Sequence, residues 1–138
     1  MNIEITLAIA TDTTQIIKID HLHRIENISA AINQGECYIA KENAAIIGFA
    51  IMNYHFFDFG FVDLLIVAEE HRRRGVGVAL LDYLSSQCKT GKLFTSTNES
   101  NTPMRELLAK AGFIPCGQID ALDEGDPELF FVREKVTG

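Results

Sequence analysis

Ile3, Ile5, Leu7 and Ile9 alternate with mostly polar neighbours, the period-two mark of a strand. Asp12 stands three residues before Gln15. This capping-box-like spacing predicts a helix start, with Ile16, Ile17 and Ile19 as the apolar side. A second short helix is predicted over Ile25 to Ile32, stopped by Asn33-Gln34-Gly35. Cys37 to Ala40 and Ala44 to Tyr54 read as strands joined by a turn at Lys41-Glu42-Asn43. The aromatic stretch Phe56 to Phe61 contains Asp58 and Gly60 and so predicts a further hairpin turn. Phe61 to Val67 is nearly continuous apolar sequence, as expected of a central strand covered on both faces, and its one charge is Asp63.

Beyond His71-Arg72-Arg73-Arg74-Gly75-Val76-Gly77, the residues Leu80, Leu81, Leu84 and Cys88 recur at helical spacing, with Gly91 as the stop. Leu93 to Thr97 reads as a strand. Thr102 is placed to cap a helix with Pro103 in its first turn and Met104, Leu107, Leu108 and Ala111 as its buried stripe; Gly112 ends it. Phe113 to Ile119 and Leu129 to Val136 read as two closing strands around the acidic loop Asp123 to Glu128. The order is β-α-α-β-β-β-α-β-α-β-β. It predicts a single α+β domain over residues 1–138, with one mixed, mostly antiparallel sheet flanked by helices.

Composition narrows the function. The 138 residues carry 12 Lys+Arg against 19 Asp+Glu, a net charge of −7. That balance argues against a nucleic-acid module, which carries a basic excess, and suits a cationic partner such as an amine. The charge is uneven. Six carboxylates against two bases fall after residue 119, and the arginine run is the one concentrated positive feature. Cys37, Cys88 and Cys116 are odd in number and lack zinc spacing, which predicts reduced thiols, no metal site and a cytoplasmic location. Met1 to Ala10 lacks the basic start of a secretion signal. No apolar run approaches the roughly 18 residues of a membrane span, so no membrane partner is expected.

The loop from Arg72 to Gly77 carries the chemistry. It joins a buried strand to an amphipathic helix, and its two glycines allow a tight turn and close approach to a ligand. Unpaired N–H groups at the helix start and the helix dipole make an anion site, to which Arg72, Arg73 and Arg74 add charge. A phosphate or pyrophosphate is the expected ligand. The Lys-Ser/Thr ending of a P-loop is missing, and Leu80 stands where a dinucleotide fingerprint needs its third glycine.

Arg72-x-x-Gly75-x-Gly77 after Leu65-x-Val67, with Asn101 eleven residues before Gly112-Phe113, resembles the GNAT (general N-acetyltransferase) superfamily over nearly the whole chain. The resemblance implies an acetyl-CoA-dependent enzyme that passes an acetyl group directly to a primary amine of a small molecule or peptide. It places the cofactor pyrophosphate on backbone N–H groups from Arg73 to Val78, including Gly75, Val76 and Gly77. It pairs the pantetheine arm with the main chain of Leu65, Ile66 and Val67, where the strand parts from its neighbour Leu93–Thr97, and it sets Asn101 against the cofactor.

Many members carry a tyrosine four residues before the family glycine, placed to protonate the leaving thiolate. Leu108 occupies that position here. The departure motivates an alternative reading, a catalytically weak acyl-CoA-binding sensor of the same fold. Asp63, alone in an apolar strand, is the candidate base, since burial would make its carboxylate more basic. Glu69 and Glu70 read as partners of the arginines, His55 as a surface residue and the acidic loop as a hairpin tip able to attract a cation. The aromatic residues Tyr54, Phe56, Phe57, Phe59 and Phe61 read as core, part of which can wall the acceptor site.

Overall fold

A computed structural model of the chain describes residues 2–135. The strands are β1 (Glu4–Leu7), β2 (Cys37–Glu42), β3 (Ala45–Phe56), β4 (Phe59–Val67), β5 (Lys92–Asn98), β6 (Ile114–Ile119) and β7 (Glu128–Glu134). The helices are α1 (Thr13–Ile19), α2 (Ile25–Asn33), α3 (Val76–Gln87) and α4 (Thr102–Lys110), with single 3₁₀ turns at Ala10–Asp12 and Glu69–His71. Helices and strands follow one another in the predicted order. Val136, predicted in the last strand, lies outside the described residues.

The seven strands form one sheet in the order β1-β2-β3-β4-β5-β7-β6. Every neighbouring pair is antiparallel except β4 and β5, which run parallel. The sheet is therefore α+β and mixed, as the pattern of elements predicts. Alternation along β3 sends Ala50 and Met52 to one face and Phe49 and Ile51 to the other. The first face packs on Leu80, Leu81 and Leu84 of α3 and Leu108 of α4. The second packs on Ile16 of α1 and Ile28 of α2. The predicted stripe of α3 is thus the buried one, Cys88 included.

Several boundaries differ from the predictions, each for a local reason. Asp12 does not cap α1 through Gln15. Its carboxylate accepts the Ile9 N–H at 2.9 Å, and the Gln15 side chain accepts the N–H of Ile46 at 3.3 Å. The first hairpin turns at Asn43-Ala44, both in the left-handed region, so Lys41 and Glu42 belong to β2. Paired positive φ values fit the right-handed twist of a two-residue hairpin. Helix α3 ends at Gln87, before Gly91. Asn101, not Thr102, caps α4, accepting the Met104 N–H at 3.3 Å. Pro103 stands in the first turn of α4, where no helical bond needs its missing N–H.

Gly60 on β4 lies under the end of α3. Its N–H donates to the Thr90 hydroxyl at 3.0 Å, and a Cβ there would overlap Cys88 Sγ, itself buried. Gly60→Ala overpacks this point and is expected to cost about 1–3 kcal/mol of stability. Denaturant unfolding followed by circular dichroism checks this, and an unchanged midpoint would show that α3 yields without cost.

Candidate active site

β4 and β5 pair over only three positions, Gly60 with Leu93, Phe61 with Phe94 and Val62 with Thr95. The Thr95 hydroxyl, buried, donates to the Val62 carbonyl at 2.9 Å and closes the fork. Beyond it β4 runs on to Val67 paired with β3, and β5 runs on to Asn98 paired with β7. The two inner edges face a gap, and the main chain of Leu65, Ile66 and Val67 borders it on the β4 side.

The loop after β4 is built to present donors. Arg73 and Gly75 take φ of 63° and 87°, so the chain alternates hand just before α3. Successive N–H groups in such a turn converge on a concavity that suits an anion. Among the described residues, the N–H groups of Arg73, Arg74 and Gly75 meet no acceptor. Those of Val76, Gly77 and Val78 form the open first turn of α3, and Ala79 donates back to the Gly75 carbonyl at 3.0 Å. Gly75 needs its left-handed backbone. Gly77 has no positive φ; a Cβ there would come within 2.8 Å of the Leu107 side chain on α4, which would have to shift.

The arginine side chains depart from expectation. Arg72 turns back and its Nε donates to the Val67 carbonyl at 3.1 Å. Arg74 pairs with both carboxylate oxygens of Glu42 at the end of β2, at 3.1 and 2.6 Å, and its Nη1 lies 2.5 Å from His71 Nδ1. The Arg74 guanidinium holds the Glu42 carboxyl below the usual carboxylate range. Glu69 and Glu70, predicted as the arginine partners, are exposed in the 3₁₀ turn, and Glu42 takes that place because β2 ends beside the loop. Arg73 is exposed and makes no side-chain hydrogen bond with the described residues. Asn101 is exposed at the start of α4.

On the opposite side of the sheet from α3 lies an open cleft of about 290 Å³, lined among others by Arg24, Asn27, Glu36, Asn53, His55 and Asp63. Asp20 sets its rim by accepting the N–H groups of Leu22 and Arg24 at 3.0 and 2.6 Å just before α2. Asp63 is an extra residue. Ile51 pairs with Leu64 and Met52 with Val62, so Asp63 forms a bulge between them. The bulge switches the parity of β4. Val62 packs toward α3, whereas Leu64 and Ile66 pack toward α1 and α2. Asp63 is exposed, so the burial expected of its carboxylate is not found. It is held instead by hydrogen bonding. Asn53, only 6% exposed, donates to Asp63 Oδ2 at 3.0 Å and accepts the His55 N–H at 3.1 Å. Asn53 was legible by the same signal as Asp63, a polar residue inside an apolar strand. Glu42 was not, because the sequence pattern places it in a turn.

Parted parallel strands, a donor-rich loop between them and the helix, and a polar cleft across the sheet together define an acyltransferase fold. The acetyltransferase (GNAT) family profile matches residues 6–113, and the chain belongs to this family. A GNAT-family acetyltransferase from Bacillus cereus is 39% identical, with a TM-score of 0.93 over 99% of this chain and all of that one. A candidate streptothricin acetyltransferase from Bacillus anthracis, solved with acetyl coenzyme A, has a TM-score of 0.85 at 16% identity, over 97% of this chain and all of that one. The ribosomal-protein-S18-alanine N-acetyltransferase of Escherichia coli has a TM-score of 0.76 at 19% identity, over 99% of this chain and 97% of that one. No curated protein sequence matches the chain. Among the described residues no helix is long and apolar enough to cross a membrane, and no three His, Cys, Asp or Glu cluster as metal ligands.

Two of the three thiols are enclosed and poorly placed to act as nucleophiles. Burial, with the Asp12 charge adding to it, pushes the Cys37 thiol up to about 12, and Cys88 is enclosed under Gly60. Cys116 is exposed on β6. Alkylation of the native protein at neutral pH is expected to modify Cys116 alone, with Cys37 and Cys88 reacting only after denaturation. Intact-mass measurement before and after unfolding reads this directly, and fast native labelling of Cys37 would reopen a thiol mechanism.

Proposed function

We propose that the protein transfers an acetyl group from acetyl-CoA to a primary amine, without a covalent enzyme intermediate. The observation that carries the proposal is the run of six N–H groups from Arg73 to Val78, free of backbone acceptors among the described residues and set beside the parted strands. That geometry suits a pyrophosphate, and Arg73 adds a charge that no carboxylate among the described residues pairs with. Arg72 and Arg74 would have to leave Val67 and Glu42 to reach a phosphate, so the backbone supplies the larger share. The β4 edge at Leu65 to Val67 suits a strand-like partner such as the pantetheine arm, with Arg72 released from the Val67 carbonyl on binding. Asn101 has its carboxamide oxygen engaged by the Met104 N–H, which leaves its amide nitrogen available to a cofactor.

Acetyl-CoA supplies the acyl group as an activated thioester. The chain supplies position and proton transfer. Asp63, oriented by Asn53, takes the proton that a bound ammonium must lose before its nitrogen has a lone pair to attack with. Its exposed, bulged position lets an amine from the cleft reach it. The β4 backbone bordering the gap offers N–H groups toward the carbonyl oxygen as charge develops there. Leu108 is fully buried and can protonate nothing, so the departing sulfur takes its proton from water or from the amine itself. The same leucine motivates a second reading, an acyl-CoA-binding sensor with little turnover. A thiol-release assay across an amine panel separates the two, since binding without release for every amine favours the sensor.

Arg72→Ala combined with Gly75→Glu inserts a carboxylate into the donor loop. CoA affinity in calorimetry is expected to fall about 100-fold or more, the loss of two charge-assisted bonds of at least ~1.5 kcal/mol each. Unchanged affinity would remove the site assignment. Asp63→Asn is expected to lower kcat/KM by about 10²-fold or more while CoA affinity holds. An Asp63→Asn enzyme as fast as the parent would exclude Asp63 as the base.

A further inference from the structure

Six phenylalanines form a cluster that belongs to neither packed core. Phe56 is its hub, with ring centroids 4.9 Å from Phe61, 5.2 Å from Phe94, 5.6 Å from Phe130 in a stacked arrangement and 5.0 Å from Phe57. Phe59 lies 5.5 Å from Phe94. The prediction that Tyr54, Phe56, Phe57, Phe59 and Phe61 are core is met only in part: Tyr54 packs against the α3 core, Phe56 and Phe61 are half-buried, Phe59 is exposed and Phe57 is 81% exposed, while Phe94 and Phe130, from outside that stretch, are half-buried. Residues directly opposite on antiparallel strands project to the same face. Phe61 is the cross-strand partner of Asn53, so the aromatic ledge shares the face of the cleft and begins beside the residue that holds Asp63. Helices α1 and α2 pack on β2 and β3, and the ledge continues beyond them across β4, β5 and β7.

We infer that this ledge selects the acceptor: the enzyme acts on an arylalkylamine, an amine separated from an aromatic ring by a short alkyl spacer. The inference rests on the acetyl-transfer reading above and adds the substrate class to it. Charge and shape agree. A carboxylate at one end receives the ammonium, and rings begin two residues away along β4, roughly 6–7 Å at strand rise. Aromatic rings prefer offset or edge-on contact with other rings, which a surface of differently tilted phenylalanines offers. The tip is held at some cost. Phe57 and Asp58 both take positive φ, 52° and 66°, and a bulky residue there is an outlier. An exposed ring kept on a strained turn and stacked edge-on against the hub extends the ledge outward.

Phenethylamine and ethylamine, with acetyl-CoA, test the inference. The parent protein is expected to favour phenethylamine in kcat/KM by about 10–100-fold, the range for burying one ring. Phe130→Ala is expected to remove about 10-fold or more of that preference by raising KM for phenethylamine, with ethylamine turnover and acetyl-CoA affinity unchanged. Phe61→Leu, which keeps apolar volume, is expected to act in the same direction and serves if Phe130→Ala fails to fold. Equal rates for the two amines, or equal losses on both in Phe130→Ala, overturn the inference. So does a dimer in sedimentation that Phe57→Asp dissociates, since a second copy would then cover the ledge. Ligand-observed NMR of phenethylamine alone separates this from the activity itself. Binding lost in Phe130→Ala, with no acetyl transfer to any amine, upholds the ledge and overturns the acetyltransferase reading. Acetyl transfer without phenethylamine binding does the reverse.

Discussion

The separation of β4 from β5 is the constraint on which the rest depends. Parallel strands that stayed paired to their ends would leave no edge for a ligand. Here the Thr95 hydroxyl takes the Val62 carbonyl, so the last paired residues are held together while the strands beyond them part. A buried carbonyl left without a donor at that point would cost about 1–3 kcal/mol, so the hydroxyl stabilises the fork where the ladder stops. The strands can diverge because each has another partner. β3 holds β4 to Val67, and β7 holds β5 to Asn98. A gap in the middle of a seven-stranded sheet therefore leaves each half with its own ladder.

The Asp63 bulge is coupled to this opening. It lies one residue past the last pair with β5, and by shifting the parity of β4 it gives Leu64 and Ile66 to the α1–α2 core while Leu65 and Val67 pack against the α3–α4 core. One inserted residue thus does two things. It switches which residues of β4 face each of the two cores, and it pushes a carboxylate out where the strands diverge. Bulges commonly re-aim side chains next to active sites for this reason. Asn53 completes the device, since an exposed bulge carboxylate without a partner would sample many rotamers.

Much of the fold was legible because it rests on local pattern. Period two in β1, helical spacing in α3 and the proline and glycine bounds of α4 each depend on residues near one another in sequence. The donor loop was legible for the same reason, because glycines and a helix start are contiguous. What escaped depends on residues far apart. Glu42 stands 32 positions before Arg74, and no spacing rule joins them. The bulge at Asp63 exists only relative to the register of β3, so the apolar run of β4 suggested a buried carboxylate where an exposed one stands. The phenylalanines read as core because hydrophobicity marks a residue that gains from burial without saying what buries it.

The net charge of −7 suggests a cationic partner, and the donor loop suggests an anionic one. The fold separates them across the sheet. Donors gather at the start of α3, whereas Asp63 and Glu36 line the cleft on the face covered by α2. The Arg74–Glu42 pair lies on the loop side and ties up one positive charge, so the loop relies on dipoles more than on side-chain charge. Dipoles fixed by backbone geometry need no side-chain rearrangement to receive a ligand, which is the condition for electrostatic stabilisation without reorganisation. The acidic loop then adds little at the cleft. Asp123 and Asp126 are spent on Asn98 and Ser100, bracing the end of β5 at the open side of the fork. The acidic surplus is therefore partly structural, and the carboxylates left to meet a cationic partner are the few beside the parted strands.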